Sequence, residues 1–398
     1  MLMSFPTIRS TVRLMSNYER SSRSASGLAP ASSRQLGAGE DARPIRATGR
    51  PSTDWPLMPW ARGPLSDAVI SALRRSPGTF EPPAPAPVSG VDVLADDDFG
   101  LALYLCYEQH YRSVADPGWE WDPGLLNFRA HLEKAFLDRL LDEVGYGRRV
   151  GTNNVVENLD QLINASSGPS LSGYFADSGT LEQLREFCVH RSAYQLKEAD
   201  PHTFAIPRLT GEAKAALVEI QFDEYGSGNA DAMHSSLFAD TMTALGLDPS
   251  YGSYVEILPG ITLATVNLVS MFALHRRWRG ALVGHLAVFE MTSIMPMSRY
   301  SAALARFGIG PEGRRFYDVH VAVDALHGAI ARDRMVANLV RAEPNLAADV
   351  LFGSAAVMML EERFSRHLLS AWANGRTSLS PWERADAETR GAESLRQA

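Results

Sequence analysis

Three observations on this chain predict an all-α fold. From Asp96 onward apolar residues recur at helical spacing in run after run. The runs open on capping residues and close on Gly or Pro. Strand-like alternation is convincing nowhere, and no internal repeat stands out.

Taken in order, the elements begin with an exception. Residues 1–90 hold 12 of the 23 prolines, many Ser and Arg, and the run EPPAPAP at 81–87. Such a segment cannot bury enough apolar surface to offset its ordering entropy, so it is expected to be largely disordered. A short helix in SDAVISALRR and an aromatic patch at Trp55 and Trp60 that docks on the body are the expected exceptions. DDDFGLALYLCYEQHYRSV then has acids at its start and a basic end, as a helix dipole prefers. DPGLLNFRAHLEKAFLDRLLDEVGYG runs from a Pro-containing start to a Gly stop, and residues 151–180 read as a loop rich in Gly, Ser and Asn. Thr180 with Gln183 forms a capping box for the helix that follows, which runs to the DP pair before His202. GEAKAALVEIQFDEYG stops at Gly226, and a new helix starts in NADAMHSSLFADTMTALG. Further helices are expected at about 260–280, 281–293, 296–307, 312–332 and 343–373. The organisation expected is a disordered 1–90, an N-terminal helical subdomain at 91–175, a main helical domain at 176–380 and a disordered tail at 381–398.

Composition narrows the function. The chain has 398 residues, 45% of them apolar, with a net charge of −8. That charge, with no basic stripe and interleaved aromatics, argues against a nucleic-acid partner. Cys106 and Cys188 read as buried thiols of a reducing compartment. The longest apolar stretch, GITLATVNLVSMFAL at 260–274, is too short for a bilayer span and reads as a core helix, so no membrane partner is expected. The arginines near the N-terminus flank no apolar h-region, so the expected location is cytoplasmic.

The most informative motif is His320, Asp324 and His327 in YDVHVAVDALHGAIARD. At about 100° per residue, offsets of four and seven put the three side chains within an arc of roughly 60° on one helix. Two imidazoles and a carboxylate on one stripe suit a divalent transition metal, with iron, manganese and zinc all admissible. One helix supplies three ligands at most, so partners must come from elsewhere. Glu198, Glu224 and His234 are the best candidates, each set in an otherwise apolar context. The glycines of GSGN between Glu224 and His234 let the chain bend so that both converge. Taken singly, each acid also reads as a solvated helix end, and His234 as a surface or satisfied core histidine.

Together, three carboxylates and three histidines on four helices fit the composition of carboxylate-bridged dimetal sites in bundles. The motifs KEADP, QFDEYGSG with MHSSLFADTM, LVGHLAVFEMTS and HVAVDALH resemble those of the haem-oxygenase-like diiron oxidases, the iron-containing redox enzymes, and among them the central domain of the N-oxygenases of nitrosourea biosynthesis. The resemblance covers roughly residues 95–380 and is sharpest over 190–330. Carried over residue by residue, it implies Glu198, Glu224, His234, His320, Asp324 and His327 as metal ligands, two Fe ions (or an Fe/Mn pair) as cofactor, and O2 as co-substrate. It implies a non-haem diiron oxidase acting on a small organic substrate, amine or amino-acid-derived chemistry included, with electrons from an external donor. The alternative is a helical scaffold with a structural metal site. A hydrolase of the thiaminase type needs a Cys nucleophile, and neither Cys106 nor Cys188 has an evident base beside it.

Other clusters rank lower. Glu108 and His110 are turned about 200° apart on a helix, and their segment reads as a part of the N-terminal subdomain that packs or forms a homodimer. His285 and Glu290 are about 140° apart, which disfavours joint chelation and leaves one of them to orient a metal-bound group.

Overall fold

Helix starts fall where the side chains dictate. Asp96 accepts from the Phe99 N–H, Asp122 from the Leu125 N–H, and Thr180 and Gln183 close the capping box expected of them. The computed structural model describes residues 58–83, 90–113, 115–145 and 154–381. The helices are α1 Pro64–Leu73, α2 Asp97–Glu108, α3 Pro123–Val144, α4 Val155–Asn164, α5 Leu171–Asp177, α6 Leu181–Gln195, α7 Asp200–Thr203 and α8 Gly211–Glu224. They continue with α9 His234–Ala244, α10 Gly260–Leu274, α11 Arg279–Thr292, α12 Ile294–Arg306, α13 Pro311–Ala329, α14 Ala337–Ala342 and α15 Ala347–Ala373. A π-helical stretch, Ile330–Val336, joins α13 to α14. No β-strand occurs among the described residues, so the all-α expectation holds.

One apolar core, from Val69 to Trp372, links these helices. Its closest approach is between α11 and α15, where Gly284 faces the Val350 carbonyl and Gly353 faces the Ala281 carbonyl; a Cβ at either glycine would collide with that backbone. Helix α10 lies between α2 and α15, and α13 packs on α9 and α12. Helices α2 and α3, read from the sequence as an N-terminal subdomain, share this core with the later helices. Cys106 and Cys188 are both buried free thiols.

Three expectations need correction. The stretch 151–180 is not simply a loop: α4 and α5 occupy much of it, and Val155 and Leu159, one turn apart, supply the buried face of α4. The helix expected to run to the DP pair ends at Gln195 instead, and a turn with Ala199 at φ 72° follows. In the Pro-rich segment the short helix expected in SDAVISALRR is present as α1 and is anchored to the body. Arg62 donates to the carbonyls of Leu258 (2.7 Å) and Val255 (2.6 Å), and Asp98 accepts from the N–H groups of Leu65 and Ser66. Trp60 remains 51% exposed instead of docking. Trp55 and the expected disorder over 1–57 and 382–398 lie outside the described residues. Among the described residues no single helix is long and apolar enough to cross a membrane.

Candidate metal centre

Four segments bring the acids and imidazoles together. Helix α13 carries His320, Asp324 and His327 on one buried stripe. Helix α8 ends on Glu224, and the chain reverses before α9 opens on His234. That reversal needs its glycine: Gly226 has φ +64°, and a Cβ there would strike the backbone of Ala232 and Met233. Glu198 projects from the turn after α6. All six residues picked from the sequence therefore meet in one place, although 129 positions separate the first from the last.

The ligating atoms fall into two groups, each within 4.8 Å. One comprises Glu198, Glu224, His234 and His320, the other Glu224, Glu290 and His327, so Glu224 belongs to both. Asp324 stands just outside them, 3.7 Å from His327 Nδ1. The second group instead includes Glu290 of α11, whose carboxylate lies 3.4 Å from the same nitrogen. Sequence reasoning missed Glu290 as a direct participant because it measured its angle against His285 on the same helix. The informative signal was a lone acid in the otherwise apolar run ALVGHLAVFE. His285 turns away and pairs with His202 (3.1 Å).

Hydrogen bonds fix which nitrogen of each imidazole faces the cluster. His320 Nδ1 is 2.7 Å from the Phe316 carbonyl, which must accept its proton and leaves Nε2 toward Glu198. His327 Nε2 is 3.2 Å from Asp223, which leaves Nδ1 toward Glu224, Glu290 and Asp324. Such backing by a carbonyl or carboxylate is what metal-bound histidines use to set tautomer and orientation.

The donor set fits a metal by a further test. His234 Nδ1, His327 Nδ1 and both Asp324 oxygens are buried without a hydrogen-bond partner among the described residues. His234 Nδ1 approaches a Glu224 oxygen to 2.7 Å yet is misaligned for a hydrogen bond. Buried polar atoms left orphaned are costly, and a cation would satisfy them all.

Electrostatics agree. Burial pushes Glu198, Glu224 and Glu290 above the usual carboxylate range, and Asp324 up to about 6 with Glu290 adding to the effect. Burial opposes charge on His320, but Glu198, Asp324 and Glu224 outweigh it and raise the imidazole to about 10. Asp223 and Glu290 do the same for His327, again to about 10 and against burial. His234 goes the other way, to about 3, through burial and the neighbouring His320 charge.

Glu198, Glu224, Glu290, His320 and Asp324 line a cavity of about 340 Å³. Its walls also include Phe187, Tyr194, Phe289 and Tyr300, and the paired Arg191 and Glu361. A largely apolar chamber with a few convergent polar groups is the usual form of a small-molecule site.

Residues 185–362 match the family described as iron-containing redox enzyme. Over 208 residues, 52% of this chain, the sequence is 24% identical to nitrosourea synthase of Streptomyces achromogenes subsp. streptozoticus. The match spans 44% of that relative's length, so the chain covers less than half of it. Two crystal structures of a CADD-like protein of unknown function from Nostoc punctiforme PCC 73102 align over 55% of this chain. One has TM-score 0.45, 16% identity and 97% of its own chain covered, the other 0.42, 15% and 94%. Residues 185–362, somewhat less than half of the chain, are thus similar to the haem-oxygenase-like iron-containing redox enzymes.

Proposed function

We propose that this protein is a non-haem diiron oxidase that uses O2 to oxidise a small organic substrate held in the cavity. The observation that carries the reading is the pair of donor groups sharing Glu224, with orphaned nitrogens and oxygens aimed between them. Glu198, His234 and His320 would hold one iron, Glu290 and His327 the other with Asp324 beside them, and Glu224 would bridge. Iron bound there supplies redox equivalents and open positions for dioxygen.

The chain's own residues do the rest. The Phe316 carbonyl and Asp223 hold His320 and His327 as nitrogen donors toward the cluster. Gln195, with its amide oriented to satisfy its neighbours, donates to both Glu198 oxygens (2.8 and 3.0 Å) and steadies that carboxylate. Phe187, Phe289 and Tyr300 wall the chamber and give it an apolar surface for a small organic substrate. The mixed N/O donor set, without thiolate, suits iron better than a soft metal.

The test is metal analysis of protein produced with iron, followed by O2 consumption after ferrous loading. Near two irons per chain with ferrous-dependent uptake supports the reading. Bound iron without O2 uptake contradicts the oxidase, and absence of iron contradicts the centre itself.

A further inference from the structure

Lys197, next to Glu198 in sequence, is fully buried: its side chain has 0% exposure. Its ammonium pairs with Glu108 and sits over the ring of Tyr111 (4.2 Å), with Tyr104 (5.2 Å) and Tyr251 (5.9 Å) around it. The other Glu108 oxygen accepts from the Tyr251 hydroxyl at 2.7 Å. Adjacent residues thus diverge, Lys197 into this tyrosine cage and Glu198 into the metal cluster.

The segment that carries them is strained. Ala199 adopts φ 72°, a left-handed conformation that a residue with a Cβ rarely takes. Such backbone persists only where its surroundings over-determine it. Here they do. The Leu196 carbonyl accepts from Arg112 (3.2 Å), and the Ala199 carbonyl accepts from Gln221 (2.9 Å) and the Thr203 hydroxyl (3.2 Å). A buried ion pair adds little net stability over apolar packing, so retention of a desolvated lysine calls for another reason.

We propose that the Lys197–Glu108 pair is a positioning element for the metal centre: it fixes the strained turn at 196–199 so that Glu198 is aimed at His234 and His320. The inference rests on the iron reading above. It makes Glu108 and Lys197 contributors to one half of the centre, the half that contains Glu198, although neither touches the cluster. Loss of the pair leaves Glu224, Glu290 and His327 in place and frees Glu198 to swing.

The experiment is an anaerobic calorimetric titration of the full chain with ferrous iron, with Glu198→Ala as reference. Glu108→Gln keeps size and an acceptor for Tyr251 but removes the charge that holds Lys197. It is expected to weaken one of the two binding phases at least tenfold, the phase that Glu198→Ala abolishes, and to leave the other unchanged. The double variant Lys197→Met/Glu108→Leu removes both charges together, so its thermal midpoint should return near wild type while that phase stays weakened at least tenfold. Two wild-type phases in both variants overturn the proposal, as does recovery of the weakened phase together with stability in the double variant. A wild-type chain that binds no iron overturns this proposal and the diiron reading together. Two irons in wild type with unaffected variants overturns this one alone.

Discussion

Two buried polar networks in this protein look alike by composition and differ in one physical respect. Around His190, both ring nitrogens are satisfied by protein. Its Nδ1 lies 2.7 Å from Thr262 Oγ1 and its Nε2 2.9 Å from Ser378 Oγ. Glu186 accepts from Trp372 Nε1 at 3.0 Å and from the N–H and hydroxyl of Ser378. This network fastens the segment after α15 to α6. Around His320 and His327, by contrast, His234 Nδ1, His327 Nδ1 and the Asp324 oxygens converge without a hydrogen-bond partner among the described residues. Buried acids and histidines alone do not mark a site; unmet demand among them does.

The largest predicted effect separates the two networks. Glu224→Ala removes the carboxylate common to both donor groups and should take iron content from two per chain to near none. His190→Ala should leave two irons bound while costing about 1–3 kcal/mol of stability, the penalty for stranding buried partners. Metal analysis and denaturant melts of both variants check the contrast, and a His190 variant that loses iron would erase it.

Next in size is Asp324→Ala. It removes a buried carboxylate at the centre of the α13 stripe, and should cost at least one iron and all ferrous-dependent O2 uptake. Folding should change little, since Ala is a good helix former. If the variant keeps both irons, Glu290 alone serves the second group and Asp324 stands outside it.

Much of this site is legible in the amino-acid sequence alone. The α13 stripe needs only helical periodicity, and the Glu224–His234 reversal is announced by its glycines. Three residues are not legible there. Glu290 meets His327 only because α11 packs beside α13, a tertiary fact that angles within one helix cannot supply. Asp223 carries no mark of its own in the sequence, and its role appears only when His327 is placed against it. Glu108 reads as part of an outlying subdomain because its partner Lys197 lies 89 positions away. The two short helices α4 and α5 are hidden by the Gly, Ser and Asn residues around them.

A smaller effect is expected from the residues that orient the cluster. Asp223→Asn weakens the hold on His327 and should lower affinity for one iron by about 10–100-fold, whereas a substitution that touches only the His190 network should leave it unchanged. Protons give an independent readout. His320 and His327, both raised to about 10, carry protons at neutral pH and must shed them to ligate. Loading metal-free protein at pH 7 in weak buffer should therefore release about two protons per chain. The sign follows from the direction of the shifts: release falls as pH rises toward 10, where the imidazoles are already losing their protons. Uptake or no change in protons would contradict the assignment.

The most direct test of the central claim is a crystal structure of iron-loaded protein with anomalous data at the iron edge. Two iron peaks are predicted, one among Glu198, Glu224, His234 and His320 and the other among Glu224, Glu290 and His327, with Glu224 touching both. A single peak, or iron bound away from Glu224, would contradict the shared two-iron centre.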